Sequence, residues 1–129
     1  MDHARQRVLV IDDNADVRSM IQALLESEGY AVSVAGNGRE GMQLQRSNPA
    51  PVVVTDVFMP DKDGIETVYE MLQEFPQTKI VVVSGGTHRV NLNYGRVAVT
   101  LGACKFLHKP FHPQELVDAV HELAASALE

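Results

Sequence analysis

Five polar residues in this chain stand where short apolar runs end. Val8-Leu9-Val10-Ile11 runs into Asp12-Asp13, Val52-Val53-Val54-Thr55 into Asp56, Ile80-Val81-Val82-Val83 into Ser84, and Cys104–His108 into Lys109-Pro110. Carboxylates brought together repel one another, so a cluster of them either carries a raised pKa or binds a cation. An all-oxygen site with few protein ligands suits Mg2+, which keeps several waters and often shares its shell with a phosphate. A carboxylate beside such an ion can act as a nucleophile toward phosphorus, giving an aspartyl-phosphate. Lys109 would supply a flexible point charge for phosphate oxygens, and the Ser84 hydroxyl a donor. A lone aspartate after a strand is more often a solvated turn former. Five polar positions from four strand ends outweigh that reading, provided the fold brings them together.

The elements that must do so are legible. Continuous β-branched runs at 8–11, 30–35, 52–54 and 79–83, with a weaker one at 104–108, suit strands buried on both faces of a parallel sheet. Helical spacing lies between them. Val17, Met20, Ile21, Leu24 and Leu25 form one stripe, ending at Gly29; Ile65, Val68, Met71, Leu72 and Phe75 form another, ending at Pro76. Leu116, Val117, Val120, Leu123 and Ala124 form a third after Pro113, and the segment after Gly36 reads as a shorter helix. The stretch from His88 to Leu101 carries the weakest helical signal, since Asn91, Asn93, Gly95 and several β-branched residues oppose it.

This alternation predicts an α/β fold, doubly wound and flavodoxin-like, with a five-stranded parallel sheet in order 2-1-3-4-5 and helices on both faces. In that order the switch point lies between strands one and three, at the carboxyl edge of the sheet. Asp12, Asp13 and Asp56 would meet there, with Ser84 and Lys109 delivered to the same edge.

The whole-chain numbers bound the rest. A length of 129 residues is that of one domain, so a single domain over 1–129 is expected. A formal charge of −6 without a basic stripe argues against nucleic acid as a direct partner. No apolar run approaches bilayer-spanning length, no secretory signal precedes the first strand, and a single cysteine, Cys104, suits a reducing compartment. A cytoplasmic protein is therefore expected.

Four segments carry a resemblance: Val10-Ile11-Asp12-Asp13-Asn14, Asp56 through Gly64 (DVFMPDKDG), Val83-Ser84-Gly85 and Lys109-Pro110-Phe111. With them the chain resembles the receiver domain of bacterial two-component response regulators, the chemotaxis-regulator-like fold, from Val8 to about Leu123. The resemblance implies that Asp56 is the phosphoacceptor, served by a histidine kinase or histidine phosphotransfer protein. It implies Mg2+ held by Asp13 and Asp56, by Asp12 through water, and by the backbone carbonyl of Phe58. Ser84 matches the Ser/Thr switch residue, Lys109 the lysine of the site, and Phe106 the aromatic switch position. A cis peptide at Lys109-Pro110 is usual in the family and fits the general X–Pro preference.

On that reading Ser84 moves toward the phosphoryl group, and Phe106 enters the space it leaves. The face formed by the fourth helix, the fifth strand and the last helix then rearranges for a downstream protein target or a fused output domain. The resemblance leaves a phosphorylation-dependent dimer open. It implies no catalysis beyond self-phosphorylation and dephosphorylation. Three departures stand out. Ser84 and Lys109 are spaced a few residues more widely than is common, and Phe58 and Gly86 occupy positions that modulate phosphoryl lifetime in the family.

Other readings fare worse. Gly36-Asn37-Gly38-Arg39-Glu40-Gly41 is a literal G-x-G-x-x-G, but it follows the second strand rather than the first. Asp12-Asp13 at the first turn would repel a pyrophosphate, so the glycines read as a turn and helix start. A phosphatase with an aspartate nucleophile needs a second Asp two residues on; Phe58 and Asn14 stand there instead. A degenerate receiver acting only as a binding module is opposed by the complete Asp12, Asp13, Asp56, Ser84, Lys109 set. His108 and His112 cannot share one helical face across Pro110 and Pro113, and cysteine or carboxylate partners at zinc spacing are missing.

Overall fold

The computed structural model describes residues 6–56, 64–84 and 104–127. Five strands, β1 (Arg7–Ile11), β2 (Ala31–Ala35), β3 (Val52–Asp56), β4 (Lys79–Ser84) and β5 (Cys104–His108), form one sheet in the order β2-β1-β3-β4-β5. Every pairing is parallel, as the apolar runs predict. Four helices lie among the described residues: α1 (Ala15–Ser27), α2 (Gly38–Ser47), α3 (Gly64–Glu74) and α4 (Pro113–Ala127). The helix weakly signalled over 88–101 lies outside the described residues.

Alternation along the strands divides the core into two layers. Val8 and Val10, Val52 and Val54, and Val81 and Val83 join Ile21 and Leu25 of α1 and Leu116 and Val120 of α4. Leu9, Ile11, Val53, Ile80 and Val82 join Met42 of α2 with Val68 and Met71 of α3. Side chains buried on both faces explain why these strands read as unbroken apolar runs. β2, at the sheet edge, exposes Ser33 instead.

The helix boundaries follow from local chemistry. Asn14 caps α1, its side chain accepting from the N–H groups of Asp16 and Val17 at 2.9 and 3.1 Å. Gly29 ends it in the left-handed region with φ 97°, while Gly29 N–H bonds to Glu26 C=O and Tyr30 N–H to Leu25 C=O. Asn37 caps α2 by accepting from Glu40 N–H, and the Glu40 carboxylate accepts from Gly36 N–H at 2.7 Å. At α4, the Glu115 carboxylate accepts from His112 N–H at 2.8 Å, directly before the Pro113 start. His112 therefore serves a helix end.

The glycine-rich stretch has a packing explanation. A Cβ on Gly41 would lie 2.4 Å from Cδ1 and 2.8 Å from Cγ1 of Ile11, which is itself 1% exposed. The residue permits α2 to lie close against β1, and the Gly36 N–H that a phosphate would need is occupied by Glu40. At the opposite, amino edge of the sheet, Gln45 is 1% exposed and bridges two loops. Its amide donates to Ala50 C=O and to Thr78 Oγ1, and its carbonyl accepts from Ala50 N–H.

The Gly41–Ile11 contact yields a prediction. Gly41→Ala gains helix propensity of about 1 kcal/mol, but overpacking costs about 1–3 kcal/mol, so a net loss of stability is expected. Adding Ile11→Val removes the Cδ1 atom and should recover part of that loss. Urea unfolding of the two single variants and the double variant checks this; additive losses would contradict it.

Candidate functional site

The site is assembled at the carboxyl edge by sheet order. Ile11 pairs with Thr55, so the next residue of each strand, Asp12 and Asp56, stands side by side at the β1–β3 junction. Both are buried, at 2% and 6% exposure, whereas Asp13 is exposed. Carboxylate oxygens of Asp12, Asp13 and Asp56 lie within 4.8 Å of one another, and among the described residues this is the one cluster that could hold a metal ion. The donors are all oxygen, and the exposed Asp13 leaves one side open to water. That set fits a small hard cation that retains part of its hydration shell.

Asp12 is held by three hydrogen bonds, two to its backbone and one to its carboxylate. Its N–H donates to Ala35 C=O at 3.1 Å, its C=O accepts from Arg18 Nη1 at 2.9 Å, and its Oδ1 accepts from Asn14 N–H at 2.9 Å. In the sequence Arg18 is marked for this role only as a cation early in the helix that follows the acidic pair.

Lys109 brings the counter-charge. Its Nζ lies 3.2 Å from Asp56 Oδ2 and 3.4 Å from Asp12 Oδ2. It follows β5 directly, and its peptide bond to Pro110 is cis, as the resemblance implied. Burial pushes the Asp12 carboxyl above its usual range; the Asn14 N–H and Lys109 oppose that shift, and the negative charge of Asp56 adds to it. For Lys109, burial pulls the ammonium down, but the charges of Asp56 and Asp12 outweigh burial and leave it above its usual value. The two shifts have one origin: carboxylates held out of water, sharing one cation.

The remaining residues anticipated from sequence are distributed as follows. Ser84 ends β4 at the same edge, its backbone paired in register with His108 of β5. Phe106 pairs with Val82, is partly buried, and packs against the α2–α3 layer. The Phe58 carbonyl lies outside the described residues. The structure therefore brings Asp12, Asp13, Asp56 and Lys109 into one cluster and aligns Ser84 with the edge they share. No helix among the described residues is long and apolar enough to cross a membrane.

Known proteins share this arrangement. The response regulator receiver domain family matches residues 8–121. Chemotaxis protein CheY of Thermotoga maritima is 32% identical over 121 residues, covering 92% of this chain and 98% of that protein. Response regulator SaeR of Staphylococcus aureus is 33% identical over 116 residues, covering 90% of this chain and 49% of SaeR, so the chain spans about half the length of that relative. Among solved structures, a response regulator receiver domain protein of Clostridium thermocellum superimposes with a TM-score of 0.85 at 29% identity, covering 93% of this chain and 94% of that one. Chemotaxis protein CheY4 of Vibrio cholerae superimposes with a TM-score of 0.80 at 28% identity, covering 92% and 98%. With the family match, the sheet order and the acidic edge in agreement, the chain belongs to the response regulator receiver domain family, the signalling receivers of two-component systems.

Proposed function

We propose that this receiver accepts a phosphoryl group on Asp56 from a histidine kinase or histidine phosphotransfer protein and signals the change to a protein reader. The observation that carries the reading is the Lys109 ammonium lying between Oδ2 of Asp56 and Oδ2 of Asp12. In the transfer, a carboxylate oxygen of Asp56 forms a bond to phosphorus as the bond from phosphorus to the donor histidine nitrogen breaks. The imidazole that leaves takes up a proton from solvent. Lys109 is already within reach of the acceptor and pairs with the phosphoryl oxygens. Asp12, Asp13, Asp56 and the Phe58 carbonyl would hold Mg2+, which when bound neutralises charge on the transferring group.

The acyl phosphate places nearly two negative charges where one carboxylate charge stood. Ser84 donates to it, and Phe106 follows, so that β5 and its neighbouring helices present a different face. The reader is a separate protein target or a fused output domain; the near-complete match to one relative and the half-length match to another accommodate both. Turnover of external substrates is not part of this reading, and the protein works in the cytoplasm, where its kinase would present the phosphodonor.

Incubation with acetyl phosphate and Mg2+ tests the acceptor. The wild type should gain one acid-labile phosphoryl group by intact mass, Asp56→Asn none, and Lys109→Ala should react about 100-fold more slowly. Turnover of many equivalents would instead identify a phosphatase, and uptake by Asp56→Asn would exclude Asp56 as acceptor.

The raised Asp12 pKa gives a pH prediction for the metal-free protein. A carboxyl whose folded pKa exceeds its unfolded value favours folding in its protonated form, so this contribution is lost as pH rises through the folded pKa. Lys109 adds no slope in the acid range, because its contribution is lost only above its usual value of 10.5. In EDTA, Asp12→Asn should therefore melt above the wild type at neutral pH, with the gap closing as the pH falls toward about 4. A gap independent of pH would contradict this account. Added Mg2+ should narrow the gap at neutral pH by stabilising the wild type.

A further inference from the structure

The peptide that joins Asp12 to Asp13 leaves the sheet where two carboxylates of the acidic cluster must be presented. Asp12 N–H still bonds to β2, donating to Ala35 C=O, and the register with β3 runs no further than Ile11 and Thr55. The oxygen of the Asp12–Asp13 peptide, partly buried, accepts from Nη1 of Arg18 at 2.9 Å. A Cβ built on Gly36, the residue after β2, would lie 3.4 Å from that same Nη1. The guanidinium therefore stands where β2 gives out and supplies a donor that the sheet no longer offers. A buried peptide oxygen left without one is costly.

The position of Arg18 in α1 allows this reach. Its own N–H donates to Asn14 C=O at 2.9 Å, in the first turn of the helix. Helical side chains lean toward the amino end of their helix, which carries this one back over the loop at 12–14. A cation near the amino end of a helix is opposed by the helix dipole. Local helix preference does not account for an arginine here, whereas the bond to the Asp12 oxygen does.

The peptide that Arg18 holds is the link between a buried carboxylate and an exposed one. Asn14 N–H fixes Oδ1 of Asp12 separately, so rotation of that peptide plane would swing Asp13 relative to Asp12. We propose that Arg18 is a positioning residue for the cation site: by holding the Asp12–Asp13 peptide it fixes the two carboxylates relative to each other and so raises the affinity of the cluster for Mg2+. The proposal rests on the reading of Asp12, Asp13 and Asp56 as a Mg2+ site.

Two effects of the guanidinium on a bound cation have opposite signs. Its charge repels the ion, and its hydrogen bond prepares the ligands for it. Arg18 is only partly buried, so solvent and salt screen the charge. A partner that orients metal ligands is worth roughly tenfold or more in affinity. Positioning therefore outweighs repulsion, and the sign of the change separates the two.

The test is calorimetric titration of the metal-free protein with Mg2+, beside thermal melts in EDTA. Arg18→Met keeps the apolar stem and loses the donors, and should bind Mg2+ roughly tenfold more weakly than the wild type. Arg18→Lys restores a charged donor and should recover most of that loss. A role in stability alone would lower the melting temperature in EDTA and leave the Mg2+ affinity of the folded protein unchanged. Loss of charge alone would tighten binding. Either result in a folded Arg18→Met overturns the proposal, as does an Arg18→Lys that binds as weakly as Arg18→Met. If Arg18→Met does not fold, Arg18→Gln, whose shorter amide ends before the Nη1 position, takes its place in the same comparison. Failure of the wild type itself to bind Mg2+ would instead overturn the reading of the cluster as a cation site, which separates the two failures.

Discussion

Two carboxylates taken out of water side by side must share a cation, and the architecture of this domain can be understood from that constraint. Asp12 and Asp56 are almost wholly buried, and the ammonium of Lys109 lies within 3.4 Å of an oxygen of each. Removing Lys109 would leave two buried carboxylates side by side without compensation, the costly outcome for a buried ionic group. The exposed Asp13 alters the balance by adding a third negative charge beside the pair. Lys109 alone therefore cannot neutralise the cluster. An additional positive charge would relieve it.

The scaffold contributes rigidity where the charges meet. β1 and β3 are adjacent, buried on both faces, and held in register up to the residues that precede the two aspartates. Asp12 is further fastened by Ala35, Arg18 and Asn14, so its carboxylate is presented by a fixed backbone. Lys109 arrives on a long flexible side chain from β5, two strands away from β3. A rigidly placed acid is thus met by a cation on a flexible stem, which can adjust to reach both carboxylates.

Much of this was legible in the sequence because parallel strands buried on both faces leave an unmistakable record. Val8–Ile11 and Val52–Val54 are unbroken apolar runs, the first followed directly by acid and the second after Thr55, so the sheet edge and its chemistry are written together. The Gly29 stop, the Pro113 start and the exclusion of a dinucleotide loop followed from equally local rules. What escaped was interaction at a distance. Arg18 binding the Asp12 carbonyl depends on how the first turns of α1 leave β1. The Gln45 bridge joins residues 33 positions apart, and nothing about an isolated glutamine marks it as buried.

The Gln45 bridge has a consequence for how such a domain can change over evolutionary time. It ties the loop between α2 and β3 to the one between α3 and β4 through a single buried amide, at the end of the sheet remote from the charges. That end is thereby committed to architecture, with little tolerance for altered loop length or polarity around residues 45–50 and 78. The carboxyl end is relieved of that duty. The buried amide that ties the loops and the charged cluster thus lie at opposite ends of the same strands.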